Sequence, residues 1–397
     1  MKIGIVTEYY APTLGGIQEH VHHFARAARR LGHDVRVITP EVTDRLASLP
    51  ARADREDGVI RLGRSVPVFS GGSVARASTG RRLSAQVREL LRKQQFDVVH
   101  LHAPLMPTLP LLFLRESRAI TVGTFHSVVG RSPLLAALRP VLQRYADRLH
   151  AAIGVSETAL VDLRRLLRAP WQVIPNGVDT AAFSAGRRRP ELDDGRPTLL
   201  HVGRFDPRNG VDRVIRAWVR VRRAGRDARL VLVGDGPLRT AYQALVPDDL
   251  RRDAHFAGFV PGAERPSYYA SADVLLCPAV GGTFGIILLE AMAAGCAIVA
   301  ADTPGFRTIM RDGEQGFLVD VEADPLSARL AARAIQLLDD ADLRWRCGQA
   351  GRATAARFDW AAVAQQVLDL YVRLGAPGQT SNGNQSPVDR RPTGNAA

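Results

Sequence analysis

Cysteine is scarce in this sequence, and long hydrophobic runs are missing. Three cysteines in 397 residues, Cys277, Cys296 and Cys347, are far apart and odd in number, which excludes a disulfide framework and a C-x-x-C metal motif. The longest apolar stretch, residues 284–301, contains Glu290 and two glycines, so no segment is expected to span a membrane. The N-terminal residues lack the small-residue cleavage site of a secretory signal. A reducing, cytoplasmic location is therefore expected.

Acidic residues are too few to balance the basic ones. Lys and Arg number 53 against 40 Asp and Glu, a formal net charge of +13. This excess favours a polyanionic partner, whether nucleic acid, anionic lipid or a phosphorylated substrate. No nucleic-acid-binding motif accompanies it, so no nucleic-acid partner is expected. Hydrophobic residues at 46% and charged residues at 23% are typical of a folded chain, and the length predicts two domains.

Short β-branched runs recur at intervals that leave room for a helix between them. In the first half of the chain they lie at 2–7, 34–39, 97–102, 120–126, 151–156 and 171–175. In the second half they lie at 198–203, 228–234, 255–259, 273–278, 297–302 and 316–321. Such alternation predicts an α/β protein with two doubly wound parallel sheets.

The two series set the predicted domain boundaries. An N-terminal domain is expected over residues 1–185 and a C-terminal domain over 198–357, joined by a polar linker at 186–197. An amphipathic helix is expected at 358–375, followed by a disordered tail at 376–397 that has almost no apolar content. Ligands bind at the carboxyl ends of parallel strands, so facing sheets would place the active site in the cleft between them.

Two adjacent glycines follow the first strand. Gly15 and Gly16 open the next helix, where backbone N–H groups can approach a phosphate at the positive helix end. The spacing is not G-x-G-x-x-G, so the dinucleotide fingerprint is absent. A tight turn alone would need one glycine, and the pair therefore favours a binding role.

Histidines stand where neighbouring strands end. His100 and His102 close the third strand and His126 closes the fourth. One histidine on a strand is usually a core residue, but several at the carboxyl ends of adjacent strands indicate function. No cysteine or third histidine stands at metal-ligand spacing near them, so no metal site is expected.

The second half carries a phosphate-binding pattern. Arg204 follows a strand and a glycine, as a diphosphate clamp requires. The segment 278–299 reads as strand, glycine-rich loop, helix, glycine and strand. Its amides can cradle a diphosphate, and Glu290 in its helix can accept both hydroxyls of a ribose.

These blocks together resemble the family 4 retaining glycosyltransferases. The similar segments are Gly-Gly-Ile-Gln-Glu-His-Val at 15–21, Gly-Thr-Phe-His at 123–126, Ile-Pro-Asn-Gly-Val-Asp at 174–179, Gly203-Arg204, and the block from Phe284 to Gly295. From residue 1 to about 374 the sequence resembles the bacterial phosphatidylinositol α-mannosyltransferases in particular.

The resemblance implies a GT-B fold, in which two Rossmann-like domains face each other across a cleft. It also implies transfer of a sugar from a nucleotide-sugar donor to a lipid-linked acceptor, without a metal cofactor. Mannose from GDP-mannose and phosphatidylinositol are the expected substrates. The final helix is expected to cross back and complete the N-terminal domain.

The resemblance also assigns roles to individual residues. Catalytic roles fall on His126, beside the anomeric centre, on Arg204, which clamps the diphosphate, and on Asn209. The other residues assigned to the donor are Gly15, Gly16, Arg208, Gly282, Thr283, Phe284, Gly285 and Glu290. The residues assigned to the acceptor are Tyr9, Gln18 and Arg76.

Two positions depart from the family pattern. Gly282 stands where the E-x7-E motif has its first glutamate, and Asn209 stands where the clamp has a lysine. Losing a charge-assisted contact to the leaving group typically costs orders of magnitude in rate. Two alternatives therefore stay open: a catalytically impaired subunit that binds nucleotide or lipid for a partner, and a transferase that uses a UDP-sugar and a non-lipid acceptor.

One predicted helix has the character of a membrane-surface helix. Within residues 80–94, leucines and a valine occupy one side, whereas Arg81, Arg88 and Arg92 occupy the other. The preceding segment, 71–76, resembles the one that meets the lipid phosphate in the mannosyltransferases. An ordinary surface helix would show the same apolar side, but the arginines favour peripheral binding to the anionic inner face of the membrane.

Overall fold

Hydrophobic strand runs pair into two separate, mostly parallel sheets. The structure is a computed structural model that describes residues 1–12, 15–42, 58–70, 73–106, 108–126, 137–282, 284–321 and 326–378. Each of the twelve predicted strands corresponds to an observed strand, and the predicted α/β class is confirmed. The predicted tail beyond residue 378 lies outside the described residues.

The first sheet has eight strands in the order β4-β3-β2-β1-β5-β6-β7-β8. Its strands are β1 Lys2–Val6, β2 Asp34–Val42, β3 Val59–Ser70, β4 Ser73–Thr79, β5 Val98–His102, β6 Ile120–Phe125, β7 Ala151–Gly154 and β8 Trp171–Val173. All neighbours pair in parallel except β3 and β4, which are antiparallel. The order runs outward in both directions from β1 and β5, so the switch point of this sheet lies between them.

The hairpin of β3 and β4 is absent from the sequence-based strand series. Its first strand carries Arg61, Gly63, Arg64 and Pro67 among the apolar residues, and these break the alternation that marks a strand. Pairing with β2 on one side and β4 on the other holds the segment extended all the same. Tertiary pairing thus overrides weak local propensity here.

Helices cover both faces of this sheet. They are α1 Gly16–Arg30, α2 Leu83–Gln94, α3 Leu109–Glu116, α4 Arg139–Ala146, α5 Glu157–Leu166 and the short α6 Thr180–Ser184. Successive strand residues point to opposite faces, so Val98 packs with α1 while Val99 packs with α2 and α3.

The second sheet has six strands in the order β11-β10-β9-β12-β13-β14, all parallel. Its strands are β9 Thr198–Val202, β10 Arg229–Val233, β11 Ala254–Gly258, β12 Val274–Cys277, β13 Ala297–Ala301 and β14 Gly316–Val319. Its helices are α7 Val211–Arg223, α8 Arg239–Ala244, α9 Arg265–Ser271, α10 Ile286–Ala294, α11 Leu326–Asp339 and α12 Ala341–Ala356. The switch point of this sheet lies between β9 and β12.

The last helix, α13 Trp360–Arg373, returns to the first sheet. Its buried residues Val363, Val367 and Tyr371 pack in one core cluster with Val21 and Phe24 of α1. The two sheets lie within the predicted ranges 1–185 and 198–357, whereas the exact boundaries and the linker stay predictions. Among the described helices, none is both long and apolar enough to cross a bilayer.

Candidate active site

Most of the predicted site residues follow strands at or next to the two switch points. On the first sheet they follow β1 and β6, except Arg76, which lies on β4, and on the second they follow β9 and β12. The two domains touch directly here, because Arg265 Nη2 of α9 lies 2.7 Å from Glu19 Oε1 of α1. A cavity of about 460 Å³ opens between α1 and residues 262–266 and includes Gln18 and Arg265 in its lining. The predicted cleft is therefore present.

A cluster of histidines lies at the carboxyl end of the first sheet. His102 Nδ1 and His126 Nε2 form a 2.7 Å hydrogen bond, and the ring of His20 meets both rings edge-on at centroid distances of 5.3 and 4.8 Å. His20 Nδ1 donates to Asn176 Oδ1 over 2.9 Å. No third histidine stands at metal-ligand spacing in the sequence, but α1 brings His20 beside His102 and His126 from a distant part of the chain.

Burial sets the charge of this cluster. Desolvation lowers the pKa of His20 to about 4 and that of His100 to about 3. It also lowers the pKa values of His102 and His126 well below the ordinary histidine value, and the neighbouring rings add to the effect. All four imidazoles are therefore neutral at pH 7, so His126 can accept or donate a hydrogen bond without carrying a charge.

A series of stacked and hydrogen-bonded side chains supports His126. His100 stacks on His102 with ring centroids 4.7 Å apart. His100 itself hydrogen-bonds through Nε2 to Thr124 Oγ1 at 2.7 Å and through Nδ1 to the Tyr371 hydroxyl at 2.6 Å. The final helix thus fixes the rings on which His126 rests.

The glycines at the start of α1 are not needed for packing. A Cβ atom added to Gly15 or Gly16 would meet no described atom within 4 Å outside the immediate chain. Both residues are exposed, and the backbone amides of the first helical turn have no helical acceptors. The pair therefore provides an open, positive helix end that suits a phosphate group.

Of the three residues assigned to the acceptor, Tyr9 and Arg76 are in contact. The Arg76 N–H donates to the Tyr9 hydroxyl at 3.4 Å, and Arg76 Nε donates to Ser65 Oγ at 2.7 Å. Arg76 is only 3% exposed, so its guanidinium is built into the domain. Gln18 lies on α1 and lines the cavity between the domains. Gly71 and Gly72, which precede this hairpin strand in the predicted lipid-phosphate segment, lie outside the described residues.

Glu8 is a buried carboxyl beneath the acceptor residues that the sequence analysis did not single out. It accepts hydrogen bonds from the Ser78 hydroxyl and, at 2.7 Å, from the Leu109 N–H. Burial raises its pKa, although these hydrogen bonds and the charge of Arg76 oppose the rise. Glu8 thereby ties β4 and α3 to the end of β1.

On the second domain, one aspartate organises the predicted clamp. Asp206 Oδ2 lies 3.0 Å from Arg204 Nη2 and 3.5 Å from Arg208 Nη2, and Asp206 Oδ1 accepts the Asn209 N–H. Burial alone would raise the pKa of Asp206, but the hydrogen bonds from Arg204 and Asn209 outweigh it and lower the pKa. Asp before Pro207 is the signature of an N-cap, which could have identified Asp206 from the sequence.

The clamp arginines are exposed, whereas Asn209 is engaged with the loop. The side chains of Arg204 and Arg208 are 67% and 73% exposed. Both line a cavity of about 350 Å³ that includes Gly281 and Gly282. Asn209 Nδ2 donates to the Arg204 carbonyl at 2.8 Å. The two cations are thus presented to the cavity, while the amide of Asn209 holds the turn that carries Arg204.

The glycine-rich loop after β12 opens α10 as predicted. Gly285 is the N-cap of this helix and has a φ of +101°, a conformation that favours glycine. Phe284 is 4% exposed and packs edge-on to Phe358. A Cβ on Gly282 would lie 3.0 Å from the ring of Phe306, so a side chain at this position requires that ring to move. Thr283 lies outside the described residues.

Glu290 is buried within a network of charges. It is 2% exposed; Tyr269 donates its hydroxyl to Glu290 Oε2 at 2.6 Å, and Arg265 Nη1 lies 3.1 Å from Glu290 Oε1. Burial raises the pKa of Glu290, against the opposing charge of Arg265. Each carboxylate oxygen keeps a second lone pair for a further hydrogen-bond donor.

Two Rossmann-like domains that meet across a cleft, with a helix N-terminus on one side and an arginine clamp on the other, have the architecture of a GT-B glycosyltransferase. Residues 14–182 match the family model described as Glycosyltransferase Family 4, and residues 183–354 match Glycosyl transferases group 1. A glycosyltransferase from Rickettsia africae superposes with a TM-score of 0.73 at 18% identity, covering 94% of this chain and 98% of that one. Anabaena HepE, in complex with UDP-glucose, superposes with a TM-score of 0.71 at 19% identity, covering 94% and 100%. The predicted GT-B fold is confirmed.

One sequence relative is much more similar. The chain is 36% identical over 388 residues to the phosphatidyl-myo-inositol mannosyltransferase of Mycobacterium tuberculosis, an alignment that covers 95% of this chain and 98% of the relative. The chain therefore belongs to the glycosyltransferase family that contains the phosphatidyl-myo-inositol mannosyltransferases, and it is a hexosyltransferase.

Proposed function

We propose that this chain transfers mannose from GDP-mannose to a phosphatidylinositol-type lipid with retention of configuration. The observation that carries the proposal is the identity of 36% along nearly the whole chain with a phosphatidyl-myo-inositol mannosyltransferase. The site fits this chemistry, because the α1 N-terminus and the Arg204 and Arg208 guanidinium groups supply positive ends for a diphosphate. In this proposal Glu290 accepts hydrogen bonds from the ribose hydroxyls.

In this proposal the residues divide the work between the domains. Arg204 neutralises the diphosphate as it leaves, which favours cleavage of its bond to the sugar. Neutral His126 lies beside the anomeric carbon and hydrogen-bonds with the sugar. Tyr9 and Gln18 orient the acceptor, and the buried Arg76 positions Tyr9 through its backbone N–H. No step requires a metal ion.

The donor half of the proposal is tested by calorimetry in EDTA. GDP is expected to bind in a 1:1 complex and more tightly than UDP, and Arg204→Ala is expected to weaken GDP binding about tenfold because a charge-assisted contact is lost. Arg216→Ala, an exposed arginine on α7, serves as the control and should leave the affinity unchanged. Absence of binding by both nucleotides would overturn the donor-site assignment.

A second candidate function is that of a nucleotide-binding subunit with little turnover of its own. Gly282 has no carboxylate, and the side-chain amide nitrogen of Asn209 donates a hydrogen bond to the Arg204 carbonyl. For this function the two departures remove contacts to the sugar and to the leaving group, while Arg204, Arg208 and Glu290 remain to bind the nucleotide. Binding of GDP without transfer by the isolated protein would favour this function.

Peripheral membrane binding through α2 is part of the proposal. Leu83 and Val87 are buried against the first domain, and Arg81, Arg88 and Arg92 are exposed. One of these arginines has an acidic neighbour, since Arg88 Nη1 lies 3.5 Å from Glu116 Oε1 on α3.

The protein is expected to co-sediment with anionic vesicles in low salt, and added salt should release it. The triple variant Arg81→Glu, Arg88→Glu and Arg92→Glu should partition about 100-fold more weakly, since each cation contributes close to an anionic surface. A matched control carries the same charge change at three exposed arginines of α7: Arg216→Glu, Arg220→Glu and Arg223→Glu, of which Arg223 is likewise paired with an aspartate. Equal pelleting of the two triple variants would show that α2 is not the membrane surface.

A further inference from the structure

Three histidines from three different elements converge at the carboxyl end of the first sheet. His20 comes from α1, His102 ends β5 and His126 follows β6. One potential ligand atom from each residue lies within 4.8 Å of the other two. We name this group the histidine triad. The sugar-transfer chemistry proposed above uses His126 and gives the other two rings no contact with substrate.

The hydrogen bonds of the triad leave lone pairs available. His20 Nδ1 donates to Asn176 Oδ1, so its lone pair is on Nε2. His102 Nε2 is buried and has no hydrogen-bond partner among the described residues. His102 and His126 share one proton in their hydrogen bond. For all three rings to coordinate one ion, this shared proton must move to the other nitrogen of its own ring. The pair of histidines does not lose a proton in this shift.

The surroundings of the triad are those of a metal site. Asn176 holds the ring of His20 through Nδ1, and outer-shell partners of metal ligands hold histidine rings by one nitrogen in the same way. Trp360 packs edge-on against the same ring with centroids 5.0 Å apart. Three imidazoles are the ligand set of open tetrahedral zinc sites, in which the ligand nitrogens are about 3.3 Å apart. The ligand atoms that are farthest apart, at up to 4.8 Å, need to approach by about 1.5 Å to reach this spacing.

We propose that the histidine triad binds one Zn²⁺ ion, or a comparable divalent transition metal, and that the ion inhibits the enzyme. Three nitrogen ligands select borderline metals such as Zn²⁺ over Mg²⁺ and Ca²⁺, which prefer oxygen. The ion would hold the His126 ring by its nitrogen lone pair and remove it from the sugar. Binding itself is independent of the proposed sugar transfer, whereas the inhibition rests on that function.

Direct metal titration tests the binding. Untagged full-length protein is titrated with Co²⁺, which should produce visible absorption of a four-coordinate site, and Zn²⁺ should then remove that absorption at one equivalent. His20→Ala and His102→Ala should each weaken Zn²⁺ binding by at least about 100-fold, and Asn176→Ala by about 10-fold because only ring orientation is lost. His255→Ala removes an exposed histidine of the second domain and should bind Zn²⁺ like the wild type.

Each variant is first checked for an unchanged circular dichroism spectrum and for a cooperative thermal unfolding transition. Folded His20→Ala or His102→Ala protein that keeps full Zn²⁺ affinity would overturn the proposal, as would wild-type protein that binds no Zn²⁺. In the transfer assay, stoichiometric Zn²⁺ should abolish turnover and EDTA should restore it. A loaded triad with unchanged turnover would overturn the inhibition alone, and a lack of transfer without any metal would count against the proposed function instead.

Discussion

Replacing Arg204 by alanine is expected to lower kcat for sugar transfer by about 100- to 1000-fold, the loss seen when a preorganised donor to developing negative charge is removed. The guanidinium contacts Asp206 at 3.0 Å but is 67% exposed. It is therefore accessible to a diphosphate. The melting temperature should change little, because exposed ion pairs contribute little to stability. Steady-state kinetics and a thermal melt of the same preparation measure both quantities.

Two further variants show whether the clamp is identified correctly. Arg208→Ala removes a second cation beside the same aspartate. It should lower kcat about tenfold, since Arg204 remains to meet the diphosphate. Asn209→Lys should raise kcat if a direct counter-charge to the leaving diphosphate is what the chain lacks. A fall in kcat for Asn209→Lys, with a nearly silent Arg208→Ala, would show that Asn209 matters through its bond to the Arg204 carbonyl instead.

Replacing Arg265 by alanine is expected to destabilise the second domain by about 3 kcal/mol. Arg265 lies between Glu290 and Glu19, at 3.1 and 2.7 Å, and the Glu290 side chain is 3% exposed. Without Arg265 the buried Glu290 carboxylate keeps, among the described residues, the Tyr269 hydroxyl as its partner. Removing one partner of a buried ion pair is costly because the other charge is left uncompensated. Urea unfolding followed by circular dichroism measures the loss.

Glu19→Ala is the matched control for this variant. It removes the other, more exposed partner of Arg265 and leaves Glu290 paired, so less than about 1 kcal/mol should be lost. The double variant Arg265→Met, Glu290→Leu should recover most of the stability, because no buried charge is left alone. Similar losses for Arg265→Ala and Glu19→Ala would mean that Glu290 does not depend on Arg265.

The pH dependence of Arg265→Ala gives a second check. Burial already raises the pKa of Glu290, and loss of the guanidinium should raise it further. A carboxyl whose pKa is higher in the folded than in the unfolded chain takes up a proton on folding, so its penalty shrinks as the pH falls. The stability gap between wild type and Arg265→Ala should therefore be smaller at pH 5 than at pH 8.

The second-domain part of the candidate site is largely predictable from sequence, because its parts lie in short contiguous segments. Arg204 follows β9 directly, and the loop, the helix and Glu290 follow β12 within one short segment. Local glycine spacing and strand ends thus locate them. Arg265 and Tyr269 escaped because they sit in a short helix with no motif, and only packing brings them to Glu290.

The first-domain part of the candidate site depends on contacts that no local pattern encodes. The histidine triad joins residues from α1, β5 and the end of β6, so it emerges only when these elements pack together. Glu8 lies just after β1, yet its partners Ser78 and Leu109 come from distant segments. The hairpin that carries Arg76 was missed as a pair of strands, since arginines, glycine and proline interrupt its apolar pattern.

The most direct test of the account is transfer of labelled sugar to lipid. Wild-type protein in EDTA is incubated with vesicles that contain phosphatidylinositol and with GDP-[¹⁴C]mannose, UDP-[¹⁴C]glucose or UDP-[¹⁴C]N-acetylglucosamine, with Arg204→Ala as the inactive control. The account predicts label in the lipid fraction from GDP-mannose alone, lost without phosphatidylinositol and released by an α-mannosidase, as retention requires. Label in lipid from a UDP-sugar only, or GDP binding with no labelled product from any donor, would contradict it.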